Sequence, residues 1–422
     1  HPFAMSGRTE QGRDLRIFAG DKLLWIIVAV LATISVLVVY SSTAKMAYDA
    51  HTARTTAHFL KQQLMILAAG TVAIFFTHRI NCRFFWRYAA LFYLLSLLAT
   101  VGVYFIGVQT NGAARWIPIF GFQFQPSEAL KVTTVILLAR QLAVRQDKIA
   151  KLRIVPSFNP VKWALPEQKK IWREGTIPVV MPVALSCAVI FPAHFSSAMI
   201  VFAASWVMML IGRVNFRELC RLVLAVAIVG ALLMVLQLGR SSTASGRIGT
   251  WIETMTTPYD AENPKPVDKL TDTERSMIAI RNGGVLGEGA GQSVMRVEMT
   301  HPESDYAYAF FIEEYGLIMG IMLMMLYLWI FFRAMEIFRR CGTAFPGLLV
   351  LGLALLITCQ ALLHIAVTVN MAPETGQTLP LISRGGSSVI FTSVALGMIL
   401  SVSRQNDEKS HLAPKKESIL EK

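Results

Sequence analysis

Apolar runs of about twenty residues alternate with short polar breaks from one end of this chain to the other. A helix of that length crosses the roughly 30 Å hydrocarbon core of a bilayer. The runs fall near residues 23–39, 62–77, 84–106, 127–144, 176–191, 195–211, 219–238, 306–332, 344–369 and 385–402. The pattern predicts an all-α integral membrane protein of about ten transmembrane helices. The fourth run is the weakest, because Glu128, Lys131, Arg140 and Gln141 interrupt it. Between the seventh and eighth runs, residues 240–305 form a large polar loop of roughly sixty-five residues, flanked by segments long enough to span.

Composition agrees. With 422 residues, 54% hydrophobic and 16% charged, and a mean hydropathy of +0.51, the chain has too little polar surface to coat a soluble globule. The net charge of +13 is that of many nucleic-acid binders. Here the basic residues sit in short hydrophilic breaks rather than in a stripe with interleaved aromatics, so no nucleic acid partner is expected. Their distribution reports topology instead. One set of breaks carries Arg8, Arg13, Arg16 and Lys22, then Arg79 and Arg83, then a cluster from Arg145 to Arg173, then Arg213 and Arg217, then Arg333, Arg339 and Arg340, and finally Arg404, Lys409, Lys415 and Lys416. The alternate short breaks hold only Lys45, Arg54, Arg115 and Arg384. By the positive-inside rule both termini are expected in the cytoplasm and the long loop outside.

Residues 1–22 and 404–422 then read as cytoplasmic tails and 23–403 as one polytopic membrane domain. The opening HPFAMSG reads as a cloning scar ahead of a native Met5, with no cleavable signal before the first run. The basic, tryptophan-bearing segment 146–173 is expected along the inner membrane surface or as a loop drawn to anionic lipid. Cys82, Cys187, Cys220, Cys341 and Cys359 lie in or near apolar runs and point to small core residues, not disulfides.

The candidate chemistry gathers at the outer ends of the runs. Asp305 sits where the long loop re-enters the membrane, and an ionisable group there is either functional or a simple N-cap of the next helix. Glu313 and Glu314 lie roughly two turns deeper, and at least one has to face protein rather than lipid. Pro126 suits a first helical turn, which places Glu128 and Lys131 on one face as a structural ion pair. Arg115, beside Trp116, presents a fork of donors suited to a phosphate or pyrophosphate, or else anchors the interface. The glycine-rich stretch 278–293 matches neither nucleotide-binding spacing. Its glycines imply tight turns and close backbone approach to the membrane surface or to a substrate. Small hydroxyl and glycine residues at 383–388 suit either an anion at a helix start or close helix packing.

Five segments, in this order and against about ten spans, resemble the SEDS family of bacterial shape, elongation, division and sporulation proteins. They are NGxxRW at 111–116, QPSExxK at 125–131, IAIxxGGxxGxGxGQS at 278–293, D(F/Y)xxAxxxEExG at 305–316 and TGxxLPxISxGGSS at 375–388. The resemblance implies a peptidoglycan glycosyltransferase, an inverting enzyme that polymerises lipid II on the outer face of the cytoplasmic membrane. It implies a class B penicillin-binding protein and other division proteins as partners. Asp305 takes the position of the family's essential aspartate, as general base. Asn111, Arg115, Gln125, Ser127, Gln292, Ser293, Ser383, Arg384, Ser387 and Ser388 become the expected substrate-binding residues. The leaving pyrophosphate calls for arginine, other loop cations or a divalent cation, magnesium or manganese, with no organic cofactor. GxGxGQSxxR at 287–296 resembles the FtsW branch more than the RodA branch. Two positions depart from the family pattern, His194 in place of an aspartate and Arg384 in place of a tyrosine. The alternatives are a lipid II flippase, an elongation polymerase and a scaffold that activates its penicillin-binding partner. Clustering of the signature residues on the outer side favours the enzyme, since a flippase needs a polar path through several spans.

Overall fold

The computed structural model describes residues 18–42, 56–110, 113–119, 122–147, 149, 152–153, 166–235, 241–256, 270–295, 299 and 304–412. Its helices are α1 (Lys22–Ser42), α2 (Thr56–Arg79), α3 (Cys82–Ile106), α4 (Pro126–Val144), α5 (Pro166–Ile171), α6 (Ile177–Ile190) and α7 (Phe195–Ile211). They continue with α8 (Phe216–Val235), α9 (Ser241–Thr256), α10 (Asp272–Gly283), α11 (Ala307–Arg340), α12 (Ala344–Thr368) and α13 (Gly386–Leu412). Every apolar run carries a helix. Among the described residues seven helical segments are long and apolar enough to cross a membrane. The charged α4, the 17-residue α7 and α8 are not among the seven. The chain is a multi-pass membrane protein.

Three features differ from the expectation. A small antiparallel sheet, β1 (Val108–Thr110), β2 (Ala113–Ile119) and β3 (Phe122–Phe124), precedes α4. Thr110 pairs with Ala113 across an Asn-Gly dipeptide, a strong hairpin signal in any sequence. The long loop contains two helices, α9 and α10. The segment expected at the inner surface ends instead in α5 and a π-helical turn, Trp172–Thr176, that runs straight into α6. Residues 154–165 of that segment lie outside the described residues, as do residues 1–17 and 413–422 of the tails.

Burial sorts the helices into layers. Protein covers 83% of the apolar window of α12 and 78% of that of α13, against 28–33% for the other five spanning segments. α12 packs against α4, α7 and α11, while α2 lies along α13 and α3 along α4. The outer faces stay apolar, with Val72, Phe76, Phe105 and Ile106 exposed. In a bilayer such faces meet lipid tails, and backbone polar groups are satisfied inside each helix.

One glutamate and one lysine sit inside this core. Lys131 Nζ lies 2.8 Å from Glu128 Oε1 and donates to Gln360 Oε1 of α12 at 2.9 Å. The pair ties α4 to the central helix, and both residues are buried. Burying each charge is costly alone, so removing one partner harms the fold more than removing both.

α11 is broken rather than continuous. Gly316 has φ +85° and ψ 168°, which no helix admits. The glycine-rich loop after α10 docks on the break: Glu288 N and Gly289 N donate to the Glu313 and Glu314 carbonyls at 2.9 and 3.0 Å, and Leu317 N donates to the Gly284 carbonyl at 2.9 Å. A Cβ at Gly283, Gly287 or Gly316 would overlap the facing backbone. Glu313 accepts from Ser293 Oγ, Asn282 Nδ2, Val294 N and Met295 N. Glu314 accepts from Gly291 N and from Ser41 Oγ of α1. The close approach expected of these glycines is therefore made to α11.

Gly287→Ala is expected to cost about 2–4 kcal/mol, from the overlap and from φ +86° together, read as a lowered thermal midpoint in detergent. Gly102→Ala, where a Cβ meets nothing, leaves the midpoint unchanged or raises it. Lys131→Met alone is expected to cost about 3–5 kcal/mol, and Glu128→Gln with Lys131→Met to recover most of that. A double variant as unstable as the single one contradicts this account of the pair.

Candidate functional site

Asp305 stands half-buried two residues before α11, and its neighbour Tyr306 occupies the N-cap position. Ser304 Oγ donates to Asp305 Oδ1 at 3.0 Å. A Cβ built on Gly376 would lie 3.7 Å from Asp305 Oδ2, so the carboxylate rests against the loop joining α12 to α13. Ser383 fastens the two segments together: its hydroxyl donates to the Ser304 carbonyl at 2.7 Å and accepts from Leu379 N at 2.8 Å.

That joining loop has irregular backbone, yet Gln377 and residues 379–383 are buried. Its carbonyls find side-chain donors on the surrounding helices. Gln360 Nε2 donates to Thr378 O at 3.0 Å, His364 Nδ1 lies 2.8 Å from Gln377 O, Tyr327 Oη donates to Pro380 O at 2.6 Å, and Ser35 Oγ donates to Ile382 O at 3.1 Å. The Gln377 amide donates in turn to Ser196 and Ser197 of α7, at 3.0 and 2.9 Å. Irregular backbone at membrane depth is tolerated only when it is satisfied in this way.

A second network holds the loop side of Asp305. Glu374 Oε1 accepts from Tyr306 Oη at 3.0 Å and from Thr273 Oγ1 of α10 at 2.9 Å. Burial, then the Glu374 charge, pushes the Tyr306 phenol far above its usual range, so it stays a neutral donor. Arg247 of α9 donates to the Glu374 carbonyl, and Trp251 Nε1 donates to the Asn370 carbonyl at 3.0 Å. Both loop helices are thereby tied to the chain beside Asp305.

The expected site residues divide by position. Ser383, Ser387 and Ser388 are buried in or just beyond the joining loop, and Ser388 Oγ receives Thr378 Oγ1 at 2.9 Å. Arg384 donates to Gln62 at 2.9 Å, with its guanidinium 4.5 Å from the Phe59 ring centroid. Gln125 and Ser127 are buried at the start of α4, hydrogen-bonded to each other. Gln292 is exposed on the glycine loop, and Ser293 is buried with its hydroxyl on Glu313, which makes Ser293 part of the clamp on α11. Asn111 and the Arg115 side chain lie outside the described residues. His194 caps α7; burial and the Lys131 and Arg247 charges lower it to about 4, leaving a neutral ring near neutral pH.

Residues missed by sequence reasoning do much of the holding: Gln360, His364, Gln377, Tyr306, Thr273 and Glu374. Gln360 and His364 left a signal as polar residues four apart inside an apolar run, and Tyr306 fills the aromatic position of the D(F/Y)xxAxxxEExG segment.

A family model described as cell cycle protein, covering FtsW, RodA and SpoVE, matches residues 21–408. A Caulobacter vibrioides protein named "Probable peptidoglycan glycosyltransferase FtsW" is 28% identical over 407 residues, 96% of this chain and 94% of that protein. Stage V sporulation protein E of Bacillus subtilis is 27% identical over 398 residues, 91% of this chain and 97% of its own length. Among solved structures, a chain of a peptidoglycan synthase complex that coordinates polymerization and crosslinking aligns with TM-score 0.66 and 21% identity, over 92% of this chain and 98% of that one. RodA of Thermus thermophilus aligns with TM-score 0.58 and 22% identity, over 93% and 99%. The fold is shared throughout, and with the family model running from the start of α1 into the end of α13, this chain belongs to the FtsW, RodA and SpoVE family of cell cycle proteins.

Proposed function

We propose that this chain is a peptidoglycan glycosyltransferase that polymerises lipid II in the division branch of its family, with Asp305 as general base. The observation that carries the reading is the seat of Asp305: a half-buried carboxylate braced by Ser304 and by the joining loop through Ser383. The 4-hydroxyl of an acceptor sugar attacks the anomeric carbon of a donor held through undecaprenyl pyrophosphate. Asp305 accepts the hydroxyl proton as the new glycosidic bond forms. The anomeric carbon–oxygen bond breaks, the lipid pyrophosphate leaves with the electron pair, and the configuration inverts. A single displacement needs only one carboxylate, unlike hydrolysis by a carboxylate pair.

The departing charge is assigned to Arg115 and Arg384, the latter steadied by Phe59 and Gln62. Among the described residues no three His, Cys, Asp or Glu side chains converge on a metal site. A magnesium or manganese ion would be held through the substrate pyrophosphate and one or two carboxylates, Asp305 among them, and would share the departing charge with the arginines. The basic breaks support cytoplasmic termini and a site on the outer face. A class B penicillin-binding protein is the partner, supported by the synthase complex that joins polymerization to crosslinking. The name FtsW among the relatives supports the division branch.

The test is the purified chain with its partner, given labelled lipid II. Asp305→Ala and Asp305→Asn are expected to lower strand formation by at least about 10²-fold with the complex intact; an undiminished rate overturns the base assignment. If no strands form with any partner while labelled lipid crosses a liposome bilayer, a flippase replaces the enzyme. Ser383→Ala releases Ser304 and is expected to slow polymerisation about tenfold with lipid II binding retained.

A further inference from the structure

We infer that the cleft between α9, α10 and the joining loop is a carbohydrate subsite that takes an uncharged amino-sugar unit of the glycan, an inference that rests on the polymerase reading above. The cleft has a volume of about 470 Å³, and Arg247, Trp251, Asp272, Asn370 and Glu374 are among its lining residues. That size suits a saccharide, and the lining mixes one aromatic wall with hydrogen-bonding groups.

Asn370 supplies the sharpest indication of a ligand. It is only 6% exposed, it lines the cleft, and its Oδ1 has no hydrogen-bond partner. A buried amide oxygen left unpaired is costly, and a rotation of the Asn370 side chain that turns this oxygen into the cleft lets a sugar hydroxyl or acetamido N–H satisfy it. Its backbone has φ +59°, a left-handed conformation in which asparagine is enriched and which holds it at the end of α12. Trp251 fixes its indole by donating to the Asn370 carbonyl, so its ring is a set wall on which the apolar face of a pyranose can lie.

The charges argue against pyrophosphate here. Among the described residues Arg247 is the one cationic lining residue, against the carboxylates of Asp272 and Glu374, and Asp272 is itself paired to Arg275 at 3.0 Å. Paired carboxylates are acceptors suited to neutral hydroxyl donors. Thr273 and Tyr306 both donate to Glu374 Oε1, and Tyr306 is the residue after Asp305. A sugar held in the cleft is therefore one hydrogen-bonded link from the base.

The experiment is saturation-transfer difference NMR of chitotetraose titrated into the full chain in lipid nanodiscs free of sugar detergents. Wild type and Asp305→Asn are expected to bind alike. Trp251→Ala and Asn370→Gly, the second chosen because glycine keeps the left-handed backbone, are expected to weaken binding at least about tenfold. Absence of saturable binding by the wild type, or binding that both variants leave unchanged, overturns the subsite. Displacement of the sugar by equimolar inorganic pyrophosphate also overturns it, in favour of an anion site. Because the readout is binding and Asp305→Asn is included, loss of the sugar site and failure of the polymerase reading are seen separately.

Discussion

Every backbone polar group that enters the hydrocarbon layer must be satisfied by protein, and the loop between α12 and α13 is where this constraint presses hardest. The stretch 379–383 is buried and not helical, and beyond the turn that Leu379 makes with Ile382 and Ser383 its carbonyls depend on other helices. Gln360, His364, Tyr327 and Ser35 reach the loop from three helices, each ending on a different carbonyl. Gln377 carries the same logic outward to α7. A loop held at so many points has one arrangement. Ser383 passes that rigidity to Ser304, and a base placed next to Ser304 is pre-positioned rather than mobile.

The break in α11 answers the same constraint by another route. Side chains brace the joining loop, whereas at Gly316 the bracing is backbone to backbone, because three glycines let two main chains meet. Glu313 and Glu314 then take the amides and hydroxyls that this contact would strand. The long loop is thus clamped to α11 below Asp305 and tied to it above by Thr273, Glu374 and Tyr306. It is part of the membrane domain's wall.

The spans were legible because a bilayer demands length and apolarity, and both are visible in a string of letters. The sheet before α4 left one signal, the Asn111-Gly112 dipeptide of its hairpin, while the break at Gly316 and the helices of the long loop passed unread. Glycine after two glutamates reads equally as a helix interior or an end, and α9 and α10, though amphipathic and in α10 opened by a Thr271–Glu274 capping box, are passed over by a reading that looks for spans of about twenty apolar residues. Asp305 was legible as an acid at the lip of a span, but its chemistry alone also fits an N-cap; the family resemblance separated the two. Ser293 shows the converse failure. A hydroxyl in a glycine-rich outer loop reads as substrate-facing, and only the fold reveals the carboxylate of Glu313 beneath it. Glu374 was unreadable in a third way, since its partners lie about seventy and one hundred residues away in sequence.

Two kinds of surface consequently meet at Asp305. On one side stands the satisfied joining loop, with Arg384 at its edge, stacked on Phe59 near the start of α2. On the other stands the cleft of α9 and α10, whose lining carries two carboxylates and an unsatisfied amide oxygen. The first suits an anion that arrives in the plane of the membrane; the second suits a neutral ligand approaching from the loop side. Under the proposed polymerase reading, a lipid-linked sugar and a sugar chain call for one surface of each kind. The single carboxylate sits where the two surfaces adjoin, and Tyr306, bonded to Glu374 on the cleft side, keeps it there.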